Sequence, residues 1–196
     1  MLENTENRGG RRGSRWRIAA WATAAILLLL PLFAMQVTNE VAWDLADFVF
    51  AGVLIVGVGV AYELTVRMTG NTPYRAAVAV ALAAAFILIW INLAVGIIGT
   101  EDNPANLMYG GVLVVGIIGA VIARFRPDEM ARALFAAALA QAVVAAIALI
   151  AGMQSPVSPA IEILGLNGFF AALWLGSAWL FRKAAGKQAP PRRADL

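Results

Sequence analysis

The sequence contains neither cysteine nor histidine in its 196 residues. Without cysteine the chain cannot form a disulfide, a thiolate nucleophile or a cysteine-ligated metal site. Without histidine it lacks the commonest metal ligand and the side chain most often used as a general base near neutral pH. P-loop, GxSxG and HExxH patterns are also missing from the sequence. We therefore predict that the protein is not an enzyme and has no catalytic residue, no metal site and no cofactor.

Charged residues are also scarce: they make up 14% of the chain, whereas hydrophobic residues make up 61%. Soluble domains are only about 45–50% apolar. A membrane-spanning helix needs about 20 apolar residues to cross ~30 Å of hydrocarbon, and six such stretches fit the sequence. We predict an all-α, polytopic membrane helix bundle with six transmembrane helices. The predicted spans are residues 18–36, 45–66, 74–98, 104–123, 129–152 and 160–181.

The 15 lysines and arginines lie only in the two tails and in alternate connections between spans. The tails are 1–17 and 182–196, and the basic connections hold Arg67 and Arg75, then Arg124, Arg126 and Arg132. Because positive charge marks cytoplasmic loops, this order predicts an inner (plasma) membrane protein with both termini in the cytoplasm. It also explains the net charge of +3 without nucleic-acid binding. The polar, basic tail 182–196 is predicted to be disordered.

The start of the chain has the basic-then-apolar order of a signal peptide. We expect instead an uncleaved first span, because the apolar run lasts to about Gln36 and no Ala-x-Ala pattern follows it.

Acidic and amide side chains gather at the predicted outer ends of spans 2 to 4. The candidate ligand-binding residues are Asp44, Asp47, Asn92, Glu101, Asp102, Asn103 and Asn106. Oxygen-rich groups of this kind suit a hard cation, a protonated amine or a polar headgroup. The alternative is that the aspartates and asparagines at the helix starts only cap unpaired backbone N–H groups.

Three polar residues fall inside or near the hydrocarbon zone: Asn92, Gln141 and Glu63. Asn92 and Gln141 are expected to form hydrogen bonds across helix interfaces, as amides in membrane helices usually do. Glu63 precedes Arg67 by four residues, which predicts an ion pair on one helix face. Alternatively, Glu63 acts in a proton relay, since carboxylates within membranes often mark such pathways.

Small residues predict where helices meet. Ala77, Ala81 and Ala85 form one stripe on span 3, and Gly52, Gly57 and Gly59 thin the surface of span 2; both features favour close helix approach. At the start of span 3, Thr72 is predicted to cap the helix and Pro73 to take its first position.

Residues 44–57 also align with residues 103–116. The alignment begins with Asp-x-x-Asp opposite Asn-x-x-Asn and ends with Gly-Val-Leu-x-Val-Gly in both segments. Such an alignment favours an internal duplication of the kind found in some transporters. The alternative is chance, because an alphabet of Gly, Val, Leu and Ala produces such matches easily.

Two functions from different classes fit these patterns. The first is an accessory, scaffold or assembly component that acts through helix–helix contacts with a second membrane protein or another copy of the chain, within the lipid bilayer. The alternative is a permease or binding protein for a small cation or polar solute. A lipid-modifying enzyme that uses Asp44 or Asp47 has no motif in its favour.

Overall fold

A computed structural model describes residues 6–38 and 43–187 and confirms the predicted all-α fold. The helices are α1 (Glu6–Val37), α2 (Leu45–Met68), α3 (Thr72–Ala94), α4 (Leu107–Ile122), α5 (Pro127–Ile150) and α6 (Ala160–Gly186), with a 3-10 turn at Pro104–Asn106 before α4. Among the described residues, five helical segments are long and apolar enough to cross a membrane: α2, α3, Pro104–Ile122, α5 and α6. In α1 a shorter apolar part covers Trp21–Val37. The chain is therefore a multi-pass membrane protein.

Three predicted boundaries differ from the observed ones by four residues or more. Helix α1 begins at Glu6, within the predicted tail 1–17, and α6 continues to Gly186. The prediction of disorder is therefore wrong for residues 182–186. Residues 188–196 lie outside the described residues. Span 3 ends at Ala94 instead of Ile98, because Gly96 has a φ of +73° and turns the backbone out of the helix.

The chain divides into two compact units, Met1–Ala61 and Tyr62–Leu196. In the first unit, a hairpin of α1 and most of α2, a large side chain packs on glycine. A Cβ at Gly59 would lie 2.8 Å from the Trp21 ring, and one at Gly52 would lie 3.8 Å from Leu28. Side chains of α1 thus lie against Gly52 and Gly59, whereas a Cβ at Gly57 would have no atom within 4 Å. Close approach of the two helix backbones stays a prediction.

The second unit is a bundle in which α5 packs against α4 and α6, and α6 packs against α3. Its core is aliphatic and aromatic, with Leu88, Phe170 and Phe181 fully buried. The predicted stripe on α3 is confirmed, because Ala77 is buried and Ala81 and Ala85 pack against this core. Helices α4 and α5 are in tight contact at a glycine: a Cβ at Gly119 would lie 2.6 Å from the Cβ of Ala133.

Helix α3 begins with a cap that differs from the predicted one. The side chain of Asn71, not Thr72, accepts a hydrogen bond from the Tyr74 amide at 3.3 Å. Asn71 has the extended conformation of a cap residue, whereas Thr72 already lies in the helix. Asn71 also donates to the Ala184 carbonyl at 3.1 Å, so it joins the start of α3 to the end of α6.

Hydrogen bonds hold together both ends of the bundle. At one end, which we call the basic end, Tyr74 at the start of α3 donates to the Phe125 carbonyl in the α4–α5 turn. At the other, the loop end, the Gly99 amide after α3 donates to the Ser158 hydroxyl before α6 at 2.8 Å. The four helices of this unit therefore alternate in direction, as the charge order of the sequence predicts.

Candidate functional site

A continuous set of polar side chains lies buried between α4, α5 and α6. Gln141 on α5 donates to the Oδ1 of Asn167 on α6 at 2.9 Å, and the Nδ2 of Asn167 donates to the Tyr109 hydroxyl on α4 at 2.9 Å. Trp174, about two turns further along α6, donates to the Gln141 Oε1 at 3.4 Å. We call these four residues the amide network; all of them are at most 4% exposed.

Asn167 is the centre of the amide network because the oxygen and the nitrogen of its side-chain amide serve three partners. Besides its contacts to Gln141 and Tyr109, its Nδ2 donates to the Ile163 carbonyl one turn earlier at 2.8 Å. That contact to its own helix fixes the side-chain rotamer and presents the amide to α4 and α5. In hydrocarbon an unpaired amide is costly, so a satisfied set of this kind ties the helices together.

The predicted cross-helix bond of Gln141 is confirmed by its contact to Asn167. Asn167 itself was missed, although an amide near the middle of an apolar helix is the same signal that identified Gln141. Tyr109 is also part of the network, and a sequence cannot distinguish a tyrosine at a membrane boundary from one buried between helices.

For Asn92 the same prediction is wrong. Its Nδ2 donates to the Leu88 carbonyl of its own helix at 2.8 Å. Its Oδ1 is buried, and among the described residues it is the one buried side-chain polar atom without a hydrogen-bond partner. Asn92 therefore lies outside the amide network and leaves one acceptor unused.

The structure divides the predicted ligand-binding residues between the two units. Asp44 and Asp47 belong to the first unit, where each carboxylate accepts a hydrogen bond from the other's backbone amide, at 2.9 and 3.0 Å. This reciprocal pairing satisfies two N–H groups at the start of α2, as in a capping box. Both residues are exposed, and ligand binding by them stays a prediction.

In the second unit Asn103 and Asn106 shape the turn between α3 and α4. Asn103 accepts from the Ala105 amide at 2.9 Å at the start of the 3-10 turn. Asn106 is buried; its Oδ1 accepts from the amides of Ile97 and Ile98, and its Nδ2 donates to the Thr100 carbonyl at 2.8 Å. The side chain of Asn106 thus replaces the backbone partners that this irregular segment lacks.

Two glycines make that turn possible. Gly96 and Gly99 have φ values of +73° and +72°, a region that side chains rarely adopt. A Cβ on Gly96 would also lie 2.6 Å from the Thr100 carbonyl. The turn buries Ile97 and Ile98 over the bundle and leaves Glu101 and Asp102 exposed. Ligand binding by these two carboxylates stays a prediction.

The aligned segments 44–57 and 103–116 use their polar pairs differently. Asp44 and Asp47 bond to each other's amides, whereas Asn103 and Asn106 bond to separate parts of the α3–α4 turn. The internal repeat stays a prediction.

One carboxylate and two arginines interact near the end of α2. Glu63 and Arg67 form the predicted i,i+4 ion pair with an N–O distance of 3.2 Å. Arg75 donates to the carbonyls of Val66 and Thr69, both at 2.6 Å. Arg75 therefore satisfies carbonyls that the C-terminus of α2 leaves unpaired.

These contacts define a site whose interior amides bind one another. The described residues contain no group of three or more carboxylates positioned to hold a metal ion. Comparison with models of protein families, with curated proteins and with solved structures yields no match to this chain.

Proposed function

We propose that this multi-pass membrane protein is an accessory, scaffold or assembly component that works through helix–helix contacts and performs no catalysis. It lies in the inner (plasma) membrane, and its partner is a second membrane protein or another copy of the chain. The amide network carries the proposal: its hydrogen bonds join α4, α5 and α6 to one another. A scaffold needs this kind of rigid, internally satisfied bundle.

The first unit supplies the surface for the partner in this proposal. Ala51 is the one buried residue of α2 among the described side chains, and α2 presents large apolar residues such as Val49, Val53 and Val60 at its surface. In lipid such a surface gains little from the hydrophobic effect, so a partner would bind through close packing.

Site-specific cross-linking tests this proposal, since a single introduced cysteine is the only thiol in the chain. Val53→Cys on α2 is the test variant, and Val143→Cys on α5, which is also apolar and long enough to span a membrane, is the matched control; the two valines are 68% and 55% exposed. After cross-linking in native membranes and purification in mild detergent, we expect a stoichiometric adduct at Val53→Cys and none at Val143→Cys. A monodisperse protein with no adduct at either position would refute the proposal.

The same proposal places both termini in the cytoplasm, with the basic end of the bundle inside. Support comes from the charge order: arginines mark the basic end, whereas the loop between α3 and α4 holds Glu101 and Asp102. An impermeant thiol reagent should label Glu101→Cys in intact cells and should miss Arg126→Cys. Labelling in the opposite pattern would show that the topology is the reverse of the proposed one.

A permease for a small cation or polar solute is the second candidate, and one observation favours it. The buried Oδ1 of Asn92 has no partner among the described residues and would be free to accept a hydrogen bond from a solute. Replacing Asn92, Asp44 and Asp47 by Leu, Asn and Asn should abolish flux in reconstituted vesicles if the protein is a permease. Under the scaffold proposal the same variant keeps its partner.

A further inference from the structure

Three elements meet at the basic end of the bundle through one tyrosine. The Tyr74 hydroxyl donates to the Phe125 carbonyl at 2.9 Å. The Tyr74 ring also packs edge-on against Phe181, with ring centroids 5.0 Å apart and an interplanar angle of 86°. The start of α3 therefore brings the α4–α5 turn close to the end of α6.

Arginines flank both of the residues that Tyr74 contacts. Arg124 and Arg126 adjoin Phe125 in the chain, and Arg182 adjoins Phe181; all three are exposed. We call these three residues the arginine junction. Within the described part of the chain none of them forms an ion pair or a side-chain hydrogen bond.

Other arginines near this end are already compensated. Arg67 pairs with Glu63, and Arg132 pairs with Glu129 at 3.0 Å. Asp128 is the one carboxylate within two residues of the arginine junction; it is exposed and lies in the first turn of α5, where the helix dipole favours a negative charge. The arginine junction thus keeps a local excess of positive charge.

The turn that carries Arg124 is unusual in its backbone. Arg124 and Phe125 have φ values of 47° and 58°, although helices usually end this way at glycine. The Arg124 and Phe125 amides donate back to the carbonyls of Val121 and Ala120. This conformation leaves the Phe125 ring 63% exposed, beside Ile122 at 75%.

Positive charge and exposed apolar surface therefore lie side by side at this membrane-facing end. We infer that the arginine junction binds the phosphate of an anionic phospholipid whose acyl chains lie against Ile122 and Phe125. Guanidinium groups bind phosphate oxygens through paired, charge-assisted hydrogen bonds, and basic residues beside a membrane attract anionic lipids. Free inorganic phosphate has no acyl chains, so Ile122 and Phe125 would add nothing to its binding. The inference applies whether the protein acts as a scaffold or as a permease.

Lipid retention by the full-length protein tests this inference. The protein is exchanged into neutral detergent with phosphatidylglycerol and phosphatidylcholine at equal concentrations, and bound lipids are counted by native mass spectrometry. The test variant is Arg124→Gln/Arg126→Gln. The matched control is Arg67→Gln/Arg132→Gln, which removes the same charge from two arginines that already have acidic partners.

We expect the unmodified protein and the control to retain phosphatidylglycerol in preference to phosphatidylcholine. The test variant should bind phosphatidylglycerol at least about tenfold more weakly, given the contribution of each basic residue near a membrane. Arg124→Lys/Arg126→Lys should recover part of the affinity, because it keeps the charge but loses the paired hydrogen bonds.

Three results would overturn the inference. The unmodified protein could show no preference for phosphatidylglycerol, the test and control variants could lose it equally, or millimolar inorganic phosphate could displace the lipid. If the test variant does not fold, salt titration of the unmodified protein decides the matter: a preference for phosphatidylglycerol that does not weaken as salt rises contradicts binding through exposed arginines.

Discussion

The hairpin of the first unit and the bundle of the second are both built from apolar helical segments, yet different contacts hold each together. In the hairpin, the described contacts place large side chains on glycines: Trp21 lies on Gly59, and Leu28 lies near Gly52. In the bundle, close packing at Gly119 is combined with buried hydrogen bonds that link helices, such as Gln141 to Asn167.

The difference shows what stabilises helix contacts inside a membrane. Lipid chains are as apolar as leucine, so burying apolar surface between helices releases little free energy there. Specific association then depends on small residues that let backbones approach and on polar groups that have no other partner. The bundle uses both devices, and three pairs of substitutions test how much each contributes.

The largest effect is expected from Asn167→Leu at the centre of the amide network. The change removes the acceptor of the Gln141 amide and the donor to the Tyr109 hydroxyl, and it should lower the free energy of unfolding by about 3 kcal/mol. The measurement is reversible unfolding of the purified protein in mixed micelles.

Asn92→Leu is the matched control for this substitution, because Asn92 bonds only to the Leu88 carbonyl of its own helix. It should change the unfolding free energy by less than about 0.5 kcal/mol, since it also removes an unpaired buried oxygen. Equal losses in the two variants would mean that the amide network contributes no more than an isolated amide.

A smaller effect is expected from Gly119→Ala in the bundle. The new methyl group would lie 2.6 Å from the Ala133 Cβ and 3.2 Å from its Cα, so the backbones of α4 and α5 would have to separate. We expect a loss of about 2 kcal/mol in unfolding free energy, measured as above. Gly116→Ala adds the same methyl group with no atom within 4 Å and should be neutral or stabilising; a loss there as large as at Gly119 would contradict the close-contact explanation.

The smallest effect is expected from Gly59→Ala in the hairpin. Its methyl group would meet the outer edge of the Trp21 ring at 2.8 Å, and a side chain can rotate away where a backbone cannot. We expect a loss of about 1 kcal/mol or less, with a shift in the emission of Trp21 in a variant that keeps only this tryptophan. Gly57→Ala is the control, and a larger loss at Gly59 than at Gly119 would reverse the comparison of the two units.

One member of the amide network and one ion pair outside it could be predicted from residue types alone, and the failures have specific causes. Gln141 and the Glu63–Arg67 pair were predicted correctly, because an amide in hydrocarbon and opposite charges four residues apart on a helix have few alternatives. Asn92 carries the same signal as Gln141, yet it faces no polar partner. Which amide meets another depends on helix rotation and neighbours, and a single sequence does not contain that information.

The sequence by itself determined that the chain is a helical membrane protein and which helix ends of the bundle lie together. Both conclusions depend only on the lengths of the apolar stretches and on the order of the charged residues between them. Only the tertiary structure decided that Asn167 and Tyr109 join Gln141, that Asn106 shapes the α3–α4 turn, and that Tyr74 contacts both Phe125 and Phe181. Those contacts link residues far apart in sequence, and their geometry is fixed by how the helices pack.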